Sequence, residues 1–137
     1  MESDLTARCN AIEECYEFML AYAAQGVVEE AGSQHAVQLR ASLARAEDAL
    51  VGLADAYRAL VARDRLEPAD RYGAFLAVLE RDAHDALAAM RLVIAQPSLS
   101  SQIVDNLNAS IHVRALLTDL FLIDEILKGR TRSTPTV

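Results

Sequence analysis

Asp105, Asn108, His112 and Asp119 follow one another at spacings of three, four and seven, which on a helix draws them into a single polar line. Aspartate and histidine at that spacing can hydrogen-bond, and histidine can exchange a proton near neutral pH. The line is therefore the first candidate for a binding or catalytic cluster. Asn106, Ser110 and Arg114 lie beside it. The bland alternative is a polar rim that fixes the register of packed helices. A Ser-His-Asp triad is not supported, because no strained nucleophile turn of the Gly-x-Ser-x-Gly type occurs.

Glu13, Glu14 and Glu17 form an acidic cluster, and Glu80 and His84 share a helix face near Asp82 and Asp85. A di-iron carboxylate bundle needs inward glutamates and a Glu-x-x-His pair from each of two helices. No Glu-x-x-His occurs, and Glu80 and His84 flank the apolar row instead of entering it, so no metal and no cofactor are expected. Exposed on a helix, His84 is a candidate for phosphotransfer. Asp82 and Asp85 would repel an acidic phospho-donor, and the Lys and Gly usual after such a histidine are missing. Cys9 and Cys15 lie six apart, about 120° around a helix, so they cannot pair within one segment and read as reduced thiols. Neither a zinc or haem spacing nor a glycine-rich phosphate loop occurs.

The elements that must position these residues are helical. Three breaks divide the chain, around 26–33, at 65–68 and at 96–98, with Gly129 as a final stop. Gly32 and Ser33 suit a helix end followed by a cap, with the first helix ending near Gln25 or Gly32. Pro68 suits a first helical position, and Ser98 suits a cap after Pro97. Between the breaks, apolar residues recur at spacings of four and three. The rows run from Leu5 to Ala23, Leu39 to Leu60, Tyr72 to Val93 and Ala109 to Leu127. This is the stripe of an amphipathic helix, and strand-like alternation is nowhere sustained. Four segments of about 25–31 residues with short connections predict an all-α, antiparallel up-down-up-down four-helix bundle over 1–129, with a disordered tail over 130–137.

The last segment carries more apolar surface than one stripe requires. Leu116, Leu120, Ile123 and Leu127 form a row expected to bury against a second copy, the alternative being a central helix enclosed by its own neighbours, while Leu122 and Ile126 lie on another side. A net charge of −7 argues against nucleic acid and against an anionic membrane surface. No run of 18 apolar residues occurs, and the start Met1-Glu2-Ser3-Asp4 lacks the basic and apolar regions of a secretory signal. Twelve of the 13 basic residues are Arg, which with abundant Ala suggests a GC-rich bacterial genome. The expectation is a cytoplasmic, non-enzymatic homodimer acting as an adaptor, chaperone or regulator on a protein partner. The rival is a His-containing phosphotransfer or small-molecule-binding bundle, the latter with a cavity lined by Tyr16, Tyr57, Tyr72 and Met90. Leu50, Leu53, Leu76, Leu79 and Ile111 are expected to be buried. Leu50→Ala is expected to cost about 2–5 kcal/mol through the cavity it leaves, read as a lowered denaturation midpoint.

Overall fold

The computed structural model describes residues 3–133, with side chains through Arg130. The described residues are all-α, in six helices: α1 (Asp4–Ala23), α2 (Gln34–Leu50), α3 (Leu53–Arg63), α4 (Ala69–Ile94), α5 (Ser101–Ala109) and α6 (Ile111–Ser133). Two of the four expected segments are each broken in two. None of these helices is long and apolar enough to cross a membrane.

The first break has a backbone cause. Val51 is extended and Gly52 takes a left-handed conformation at φ 81°, which glycine adopts without steric cost. The break frees the last carbonyls of α2, and Arg8 of α1 meets them by donating to the Ala49 and Val51 oxygens. Asp4, one turn earlier on α1, holds the same guanidinium at 2.9 Å. The second break lies at Ser110, which is extended, ends α5 and caps α6 by accepting from the Val113 amide.

Helix ends elsewhere follow local chemistry. Ser3 and Ser33 cap α1 and α2. α1 stops at Ala23, the earlier of its two expected ends. Pro68 stands one residue outside α4, as its N-cap residue and not its first helical one, and Asp70 occupies the first turn. The cap expected of Ser98 belongs to Ser100, whose hydroxyl accepts from the Ile103 amide. α6 continues through Gly129 to Ser133, past the expected stop, and residues 134–137 of the expected tail lie outside the described residues.

α1 packs against α2, α3 and α5, and α4 against α2, α3, α5 and α6. α1 and α2 run antiparallel, since Arg8 reaches Ala49 while Glu14 pairs with Arg45. α2 and α4 do so too, since Arg40 reaches Ile94 while Glu47 pairs with Arg91. The stripes meet in one core, in which Leu50, Leu53, Leu76 and Leu79 are buried as expected. Ile111 is the exception at 75% exposed. Ile111 follows Ile103 and Leu107 at spacings of four, a row that crosses Ser110, and the bend there resets the helical phase.

The two longest connections, 24–33 and 95–100, are bound to each other. Arg40 grips the Glu30 carboxylate with two nitrogens and donates to the Ile94 and Gln96 carbonyls. Glu30 also accepts from the Leu99 amide and donates its own amide to Ser98 Oγ. Tyr22 donates to the Leu99 carbonyl at 2.6 Å, and Ser101 bonds to Tyr22 and Val27. The Arg40 guanidinium holds the Glu30 carboxyl below its usual range. The folded pKa is depressed, so this contribution is present above the unfolded value and fades as pH falls through the folded one. Arg40→Ala is expected to lower stability at neutral pH by about 1.5–3 kcal/mol, and by less under acid, measured by urea denaturation across pH.

Candidate functional site

The polar line expected along the last segment is divided by the bend at Ser110. Asp105 and Asn108 fall on α5, and His112 and Asp119 on α6. Asp105 and His112 are exposed, whereas Asn108 and Asp119 are buried. The side chain that meets Asp119 is Asp82 of α4, a residue that sequence reading had noted only as a neighbour of Glu80 and His84.

Asp119 is 8% exposed and hydrogen-bonds to half-buried Asp82, while its Oδ2 has no partner. Two carboxylates in contact cannot both ionise cheaply. Burial first, then the hydrogen bond and the charge of Asp82, push Asp119 up to about 7. A carboxyl tuned to neutral pH is the kind of group acid–base chemistry uses. Three surface grooves, of about 970, 710 and 350 Å³, are lined by neither carboxyl.

A second polar group joins α1, α3 and α6. Tyr57 is fully buried, donates to Asp124 Oδ1 at 2.6 Å and meets Cys9 Sγ at 3.3 Å. Burial raises the Tyr57 phenol and the Cys9 thiol, and it pushes Cys15 up to about 11. Both cysteines are free, and both are held as thiols instead of nucleophilic thiolates. This network ties α1, α3 and α6 together.

His84 is exposed on α4 and lines the 350 Å³ crevice with the start of α3, Glu80 and Arg91. Glu80 is committed elsewhere, bonded to Arg58, which also holds Asp55. Glu13, Glu14 and Glu17 are exposed, with Glu14 on Arg45. Among the described residues no three His, Cys, Asp or Glu side chains gather where they could hold a metal ion. The interior space beside Tyr16 and Met90 measures about 20 Å³, room for a water-sized void. Drug-sized ligands occupy pockets of roughly 300–1,000 Å³. Tyr57 and Tyr72 do not line it.

The row assigned to a second copy has a different use. Leu116, Leu120 and Ile123 are buried in the chain's own core, and Leu127 is half-buried against it. What α6 leaves outward is its other face: Ile111, Phe121, Leu122 and Ile126 are 75%, 61%, 51% and 42% exposed. Arg114 edges that face, stacked over the Tyr16 ring at 5.8 Å. No protein-family model, curated protein or solved structure matches the chain.

The carboxyl pair makes a directional prediction. Asp119 has a folded pKa raised above its unfolded value, so its favourable state is the protonated one. Stability from this site is full below about pH 4 and is lost as pH rises through about 7. Asp119→Asn should flatten that part of the profile and raise stability at pH 8 by about 1–3 kcal/mol. Denaturation midpoints at pH 5 and pH 8 give the test, and a parallel shift at both would mean the pair does not store a proton.

Proposed function

We propose that this chain is a non-enzymatic, homo-oligomeric helical module of the bacterial cytoplasm that works as an adaptor, chaperone or regulator through protein contacts, with the outward face of α6 as the contact surface. The observation that carries the reading is that face. Large apolar side chains scattered singly on a surface need no explanation, but Leu122 and Ile126 lie one turn apart on α6 in line with Ile111, Phe121 lies at the edge of that line, and all four remain exposed. Contiguous apolar surface of this kind usually marks an interaction site. The sites with chemical potential point the same way, because the tuned carboxyl lines none of those three grooves and both thiols are held protonated. We read the six helices as four rods, two of them bent, in an up-down-up-down bundle. That arrangement turns one side of each rod to solvent and makes the outer face of α6 available.

Light scattering on the purified chain at micromolar concentration should give twice the single-chain mass of 14.9 kDa. Leu122→Glu combined with Ile126→Glu should give a folded monomer of unchanged helicity, because neither residue is in the core. A wild-type mass of one chain throughout the micromolar range would overturn self-association.

A further inference from the structure

We infer that the second copy docks on α6 antiparallel and in a single register, with the two-fold axis passing close to Thr118 and Asp119. This deepens the reading of α6 as a self-association face and rests on it. At 3.6 residues per turn, Ile111, Ala115, Thr118, Leu122 and Ile126 fall within an arc of about 80° on α6, a continuous line from its first residue through about four turns. The sizes along this line run large, small, small, large, large.

Reversing the line against itself matches those sizes. With the axis between Thr118 and Asp119, Ile111 meets the second copy's Ile126, and Leu122 meets its Ala115. A large side chain then enters the space left by a small one, and the two threonines flank the axis. Thr118 spends its hydroxyl within its own helix, donating to the Arg114 carbonyl at 2.8 Å, so its methyl is free to pack. A parallel pairing would oppose Ala115 to Ala115 between larger neighbours and leave a gap there.

Charge selects the same register. Arg114 and Glu125, both exposed, lie on one edge of the line with Phe121. A two-fold axis perpendicular to an antiparallel pair brings that edge against its own copy. The midpoint of Arg114 and Glu125 falls within one residue of the midpoint set by the apolar matches. Each Arg114 therefore reaches the second copy's Glu125, once on each side of the axis. Its guanidinium has five donors, enough to keep the contact with Tyr16 while making the new one. The opposite edge carries Asp119, whose carboxyl is turned to Asp82 of its own chain and stays out of the contact. Burying roughly one helix face per copy lies at the small end of specific interfaces, so the dimer should form in the micromolar range.

Cysteine cross-linking reads the geometry directly. Ile111→Cys and Ile126→Cys are made separately in the full chain, with Cys9 and Cys15 retained and the parent protein as control. In the inferred register each new thiol lies about 22 Å along the axis from its own copy, at 1.5 Å per residue, and opposite the other variant. A mixture of the two should give a disulfide-linked dimer under mild oxidation, while each alone should not. Arg114→Glu should weaken dimerisation about tenfold, and Arg114→Glu with Glu125→Arg should restore it. A dimer whose mixed variants do not cross-link, or whose single variants do, would overturn the register while leaving self-association standing. A chain that stays monomeric would overturn both.

Discussion

The Arg40–Glu30 pair is the constraint on which the rest of the molecule depends. The connections 24–33 and 95–100 leave one helix and enter the next at the same end of the fold, and neither has a core of its own. Arg40 sits on α2 between them. It ties the Glu30 carboxylate of one connection to the Ile94 and Gln96 carbonyls of the other. A partly buried ion pair repays its desolvation only when its remaining donors and acceptors are filled. Here they are filled by backbone: Arg40 by two carbonyls and Glu30 by the Leu99 amide. With both connections fixed, α1, α2, α4 and α5 start or stop at set heights, and the stripes of Leu39, Leu76 and Leu107 can meet in one core.

The two breaks inside the expected rods are handled differently. At Gly52 the freed carbonyls of α2 receive a side chain from another helix, so the break is coupled to the α1–α2 packing through Arg8. At Ser110 the repair is local: the serine hydroxyl caps the new helix with no help from elsewhere. The first bend is thereby locked to tertiary structure. The second is written into the run Asn106, Asn108 and Ser110, residues whose side chains compete with helical backbone bonds.

That difference explains how much of the fold was legible in the sequence. The apolar rows located the helical segments and the core of α2, α3 and α4, because burial is periodic and local sequence records it. Gly52 sat inside such a row and was read as helix interior. An isolated glycine is a weak break signal, and the decisive partner, Arg8, is over forty residues away. Ser110 stood beside the polar line and within the apolar row that begins at Ala109, so the phase was carried across it. The same count placed Ile111 inside, while the row Leu116, Leu120, Ile123 and Leu127 was assigned to a second copy for a separate reason, the surplus of apolar residues on that segment. The carboxyl pair was illegible for another reason. Asp82 and Asp119 meet only when α4 and α6 pack, and no spacing rule within one helix brings them together. The same holds for Tyr57 and Asp124. The individual residues could be named in advance, but the pairs could not.

Asp119 stands at the boundary between the two apolar faces of α6, and that position bears on why it is tolerated. Going around the helix from Ile123 to Ile126, the surface passes from core to solvent, and Asp119 lies between. An apolar side chain there would merge the two faces into one broad band, with nothing to define which part turns inward. A buried polar group costs stability but penalises every rotation that separates it from its partner. Rotating α6 outward by one position would carry Asp119 away from Asp82 and strand both carboxyls against apolar neighbours. Rotating it inward would drive Asp119 further from water, where the charged form is costlier still. The contact of Asp119 with Asp82 thus favours one angle of α6 on α4, and with it which apolar residues are left outside.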